Sequence, residues 1–214
     1  MSDDFLKYEI NAYKTPGFIS CKLTENQLKP IKSEIKQIQS NFDNGVKCNN
    51  TLIGHIQKEF DLILCKDHIE QLLLPLVMEY DRHYGILESF NILSKSVPLY
   101  LDRTWVNFQK KHEFNPIHNH SGVVSFALWI QIPFLYEDEA KLFPELSDHN
   151  NKTSTFEFHY IHSDGKIGHH KIKADKTYEN SLVLFPSSMM HSVNPFYTSD
   201  DYRISVSGNF KIKI

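Results

Sequence analysis

Hydrophobic spacing divides the chain near residue 86. Before that point apolar positions recur every three or four residues, the period of a helix buried on one face. Leu28, Ile31, Ile35, Ile38 and Phe42 form one stripe, and Thr24-Glu-Asn-Gln27 ahead of them has the form of a capping box. Pro30 falls in the first turns and blurs the start. A second stripe, Ile69, Leu72, Leu73, Leu76 and Tyr80, predicts a helix from about Asp67 to Tyr84, with Asp67 as N-cap, Gly85 as the stop and a kink at Pro75. Residues 51–64 fit helix or strand equally well.

After residue 100 the period becomes two. Trp105–Gln109, Ser125–Ile132, Thr155–His162, Gly168–Ala174, Ser181–Phe185 and Arg203–Ile212 read as strands, with a turn at Ser163-Asp-Gly165. Short strands separated by polar turns predict an antiparallel sandwich or barrel. In 125–132 one face is Phe126, Leu128, Ile130 and Ile132, and the other is Ser125, Ala127, Trp129 and Gln131. In 203–210 one face is Ile204, Val206 and Phe210, and the other is Arg203, Ser205, Ser207 and Asn209. Two readings are open. The polar faces meet solvent, or the apolar faces pack under the N-terminal helices and the mixed faces line a cavity between two sheets.

With 214 residues and 41% hydrophobic residues, the chain carries a real core and suits one domain, with or without an appended helical segment. The 23 Lys+Arg against 26 Asp+Glu give a net charge of -3, which provides no general attraction to nucleic acid or anionic lipid. No apolar run approaches the ~20 residues of a membrane span. The start, Met1-Ser-Asp-Asp, is acidic where a signal peptide is basic. Cys21, Cys48 and Cys65 are odd in number and far apart, which reads as reduced thiols in a cytoplasmic protein. Nine of the 12 histidines follow residue 108, and that excess points to metal binding, acid–base chemistry or pH sensing.

His118-Asn-His120 carries the chemistry. Histidines at i and i+2 on a strand share a face and can converge on a metal at ~2.0–2.1 Å. Alone the pair also describes two surface histidines, so a third ligand is needed, and His191 follows the strand Leu182–Phe185. Glu113 sits at an odd offset from His118, and Asp138 and Glu139 lie beyond Pro133, so no nearby carboxylate has a geometric reason to join. His112, His149, His159, His162, His169 and His170 read as surface or pH-tuning residues, and the pair His169-His170 could also take up adventitious metal.

Phe114-Asn-Pro-Ile-His118-Asn-His120-Ser-Gly122, the distal His191 and Arg203-Ile-Ser205 twelve residues later together resemble the Fe(II)/2-oxoglutarate-dependent dioxygenases. Adding Trp105-Val-Asn107 and Leu184-Phe-Pro-Ser187, residues ~50–214 look like the phage-type 2OG-Fe(II) oxygenases. The resemblance implies an α+β chain: a double-stranded β-helix, or jelly-roll, of about eight strands over 86–214, supported by a mainly helical segment 1–85. It implies Fe(II) held by His118, His120 and His191, and 2-oxoglutarate held by Arg203 in a bidentate salt bridge with help from Ser205. Asn107 and Trp129 fall where related enzymes place cosubstrate contacts. No catalytic side chain beyond the metal ligands is implied. The reaction would couple decarboxylation of 2-oxoglutarate to hydroxylation by O2 of an unidentified substrate, a small molecule or peptide rather than nucleic acid. One position departs from the family. His120 stands where its members carry Asp or Glu, which leaves one more positive charge on the site. Two other classes share these residues: a 2-oxoglutarate-independent, cupin-like metal enzyme, and a catalytically silent binding or structural protein.

Overall fold

The computed structural model describes residues 17–90, 98–162 and 164–213, so Ser163 of the predicted turn lies outside the described residues. In chain order the elements are β1 (Ile19–Lys22), α1 (Glu25–Ser40), β2 (Glu59–Asp61), α2 (Lys66–Tyr84), β3 (Leu99–Gln109), β4 (Asn115–His118), β5 (Val124–Gln131), α3 (Tyr136–Ala140), β6 (Phe156–Ile161), β7 (Ile167–Ile172), β8 (Ser181–Pro186), β9 (Met190–Val193) and β10 (Arg203–Ile212). Two antiparallel sheets form, β1-β8-β5-β10-β3-β2 and β4-β9-β6-β7. Inside the outer strands β1 and β2, four strands face four. The chain alternates between the sheets except at the β6–β7 hairpin, which is the strand order of a double-stranded β-helix. The N-terminal segment therefore gives the larger sheet both of its edges as well as its supporting helices.

The helices form where the stripes predict, with local differences. Thr24 and Gln27 make the reciprocal capping box, and α1 runs through Pro30. Its buried face is Leu28, Ile31, Ile35 and Ile38, while Phe42 lies past the helix end in a short 3-10 turn, against Phe60 and Phe108. Helix α2 buries Ile69, Leu73, Val77 and Tyr80 and stops at Gly85, whose φ of 63° is left-handed. Its N-cap position is Cys65 rather than Asp67, and Cys65 supplies no side-chain cap. Glu34 of α1 holds the turn that leads into α2 and reaches only the N-cap N–H of the helix itself: its buried carboxylate accepts from the N–H groups of Ile63, Leu64 and Cys65 at 2.7, 3.0 and 2.8 Å. A carboxylate suits the positive end of the helix dipole.

The two faces of each long strand separate two cores. Val106, Phe108, Leu128, Ile204, Val206 and Phe210 pack with the helix stripes on the outside of the larger sheet. Ala127, Trp129, Phe156, Phe158, Val183 and Phe185 pack between the sheets. The second of the two strand-face readings therefore holds. The helices cover the apolar faces, and Arg203, Ser205 and Ser207 point between the sheets into a pocket. Asn209 does not reach it and instead accepts a hydrogen bond from Ser125 Oγ at 2.7 Å.

Candidate metal centre

Strand β4 pairs with β9 so that His118 stands directly opposite His191. Opposed residues of an antiparallel pair bring their side chains within contact of each other, and the two ring centroids are 4.3 Å apart. β4 ends at His118, so His120 owes its place to a turn rather than to strand alternation. The His120 N–H donates to Ser187 O at 2.8 Å. Gly122, at φ 130°, lets the turn close: a methyl there would meet Phe210 O at 2.7 Å. The turn sets the His120 ring 4.9 Å from both other histidines. One ligand atom from each of the three lies within 4.8 Å of the others, and no Asp or Glu among the described residues joins them. Glu113 instead accepts from the N–H groups of Gln57 and Lys110, and Glu139 from those of Tyr197 and Thr198.

The rings are prepared as ligands. His118 Nδ1 lies 2.7 Å from Pro116 O and His191 Nδ1 2.9 Å from Met189 O. A carbonyl only accepts, so each Nδ1 carries the proton and each Nε2 keeps a lone pair. Burial lowers the pKa of His118, against a small opposing effect of the Pro116 carbonyl. Burial, with the neighbouring His118, holds His120 down at about 4. Burial sets His191 well below its usual range, with His118 and His120 adding to it. All three are neutral at pH 7. Three convergent imidazoles suit a divalent first-row metal such as Fe(II), so the donor set fits the implied ion.

Asn107, Trp129, Arg203 and Ser205 line the same pocket as the three histidines. Arg203 is buried, at 2% exposure. Its Nε and Nη2 donate to Gln109 Oε1, Nη1 to Ser154 O and Nη2 also to Asn194 O, at 2.7–2.9 Å. Every acceptor is neutral, and no carboxylate of the described residues forms a salt bridge with the guanidinium. Burial lowers its pKa to about 9, opposed by the charge of Glu139, so it remains a cation at pH 7. Four of its five N–H groups are committed, which leaves one rather than the two-pronged fork expected from the sequence. Ser205 Oγ accepts from Asn107 Nδ2 at 3.3 Å. Trp129 stands edge-on to Phe156 and Tyr178. Gln109, Ser154 and Asn194 escaped the sequence reading. Gln109 alone left a trace, as the polar position two residues after Asn107 on the same strand face.

The model of the family described as "Putative 2OG-Fe(II) oxygenase" matches residues 103–209, which hold all of these pocket residues. The chain belongs to this family. Among solved structures, the oxygenase resembles a prolyl-4-hydroxylase from Pseudomonas putida at 13% identity, covering 92% of this chain and 94% of that one, with a TM-score of 0.57. AviO1 from Streptomyces viridochromogenes is 8% identical over 92% and 90% of the two chains, with a TM-score of 0.54. A prolyl hydroxylase from Trichoplax adhaerens, in complex with a hypoxia inducible factor oxygen degradation domain peptide fragment, is 14% identical over 92% and 84%, with a TM-score of 0.53. At such identities the likeness is one of fold. No curated protein matches the chain. No helix among the described residues is long and apolar enough to cross a membrane.

Proposed function

We propose that this oxygenase binds Fe(II) through His118, His120 and His191, binds 2-oxoglutarate through Arg203, and hydroxylates a small-molecule or peptide substrate. One observation carries the reading. A buried guanidinium without an anionic contact shares a pocket with three neutral imidazoles. A buried charge with no direct ion pair is costly even with the charge of Glu139 nearby, and a carboxylate arriving at Arg203 relieves that cost. Ser205 adds a hydroxyl beside it, and Asn107 and Trp129 wall the cosubstrate. Gln109 and the carbonyls of Ser154 and Asn194 hold the guanidinium in place. Fe(II) with bound 2-oxoglutarate supplies the activation of O2 and the decarboxylation that drives it. The three histidines hold the ion without contributing negative charge, which favours the dianionic cosubstrate.

The peptide in the Trichoplax adhaerens complex supports a fold able to present a peptide to such a pocket. Three free cysteines, two of them buried with their thiol pKa values raised by burial, support a reducing compartment such as the cytoplasm.

The test is an anaerobic titration of 2-oxoglutarate into Fe(II)-loaded protein. A visible metal-to-ligand band that vanishes in Arg203→Gln is the expected result. Metal binding with no band favours a cupin-like enzyme, and neither metal nor band favours a silent protein.

A further inference from the structure

Four buried side-chain atoms among the described residues have no hydrogen-bond partner, and all four are oxygens: Oδ1 of Asn107, Asn115 and Asn180, and Oε1 of Glu157. Two of them, on Asn107 and Asn115, belong to the metal pocket. Asn107 is 5% exposed, and its Nδ2 is committed to Ser205, which leaves its oxygen facing the pocket. Across the β2–β3 ladder the residue opposite Asn107 is Glu59, 1% exposed. Opposed residues of such a pair share a face. The Glu59 carboxylate accepts from Asn49 Nδ2 at 3.2 Å, and no Lys, Arg or His of the described residues pairs with it. Gly54 marks where these groups meet: a methyl there would lie 2.3 Å from Asn115 Oδ1 and 3.3 Å from Glu59 Oε1.

The pocket is therefore polarised. Arg203 brings positive charge to one part of it. Elsewhere in it Asn107 Oδ1 and Asn115 Oδ1 are unpartnered acceptors, and the Glu59 carboxyl stands beside them, opposite Asn107 on the next strand. Unpartnered buried acceptors cost free energy until a donor reaches them. A carboxylate beside two amide oxygens prefers a donor that also carries positive charge.

We propose that Glu59, Asn107 and Asn115 form a subsite for a cationic N–H donor, an ammonium or guanidinium group, on the molecule this oxygenase hydroxylates. The assignment rests on the proposed reaction for its biological meaning, but the subsite itself is tested by binding alone. Ile56, buried between Gly54 and Glu59, lines the pocket beside it and suits the alkyl stem that joins such a group to the reacting carbon.

Agmatine and methylguanidinium, with butylurea as the uncharged control, are titrated calorimetrically into the Fe(II)- and 2-oxoglutarate-loaded protein and into the metal-free protein. The cations bind and butylurea does not. Glu59→Gln, which keeps the shape and removes the charge, weakens the cations by about tenfold or more. Asn115→Asp adds a charge to the same wall and tightens them. Equal binding of butylurea, affinities unmoved by both variants, or no cation binding at millimolar concentration would each overturn the proposal. Cation binding with no metal-to-ligand band overturns the oxygenase reading alone, and an intact band with no cation binding overturns the subsite alone.

Discussion

Gln109 Oε1 accepts two hydrogen bonds from Arg203, 2.9 Å from Nε and 2.7 Å from Nη2. Gln109 is oriented in turn by its amide Nε2, which donates to Glu113 O at 2.6 Å. A neutral oxygen thus positions the guanidinium without cancelling its charge. Gln109→Glu separates the two effects. The new carboxylate neutralises Arg203 from inside the pocket, so the fold persists while 2-oxoglutarate affinity falls by about tenfold or more. Unchanged affinity in this variant would remove Arg203 from the cosubstrate site.

Arg203 also belongs to the fold. Arg203→Ala strands Gln109 Oε1, Ser154 O and Asn194 O without their donor. The expected loss is about 3 kcal/mol in chemical denaturation of the metal-free protein. A loss within about 0.5 kcal/mol, the range of an ordinary surface substitution, contradicts this account.

His120 stands where the resemblance implies Asp or Glu. His120→Asp recreates a site of two histidines and a carboxylate and keeps Fe(II) binding. His120→Ala loses affinity by more than the roughly 10–100-fold that follows removal of a merely supporting contact. Metal titration by calorimetry reads both. Equal affinities for wild type and His120→Ala would show that two histidines hold the ion alone.

Long alternating strands were legible because one of their faces is continuously apolar, and β10 spans the predicted Arg203–Ile212. Short strands were not. β1, β2 and β9 have three or four residues each, too few for a period to show, and β4 carries Pro116 within four residues. The three histidines were legible as residues but not as geometry, since the His120 turn depends on Ser187 and Phe210, which are remote in sequence. The same remoteness hid the partners of Arg203 and the contact that Glu34 of α1 makes with the turn leading into α2.

That contact yields a test independent of the reaction. Glu34→Ala leaves the N–H groups of Ile63, Leu64 and Cys65 without their acceptor in the turn that leads into α2. The expected cost is about 3 kcal/mol, with Glu34→Gln intermediate because its amide retains a single accepting oxygen. The denaturation midpoint falls while its slope is unchanged. A cost below about 1 kcal/mol would mean that water replaces the carboxylate.

Glu59 gives a prediction in pH. Burial, with the charge of Glu113 second, pushes its carboxyl up to about 7, whereas an unfolded Glu titrates near ~4.3. Between those values the folded state holds a proton that the unfolded state has released, so stability falls as pH rises. The contribution is complete below about pH 4.3 and is lost through pH 7, amounting to a difference on the order of 3 kcal/mol. The amide introduced by Glu59→Gln has no proton to lose. The stability of the metal-free variant relative to wild type should therefore increase between pH 5 and pH 8, with other titrating groups cancelling in the comparison. A difference that stays flat across that range would place the Glu59 carboxylate in contact with solvent or with a cation. A saturating cationic ligand in the proposed subsite should flatten it as well, because it favours the ionised carboxylate in the folded state.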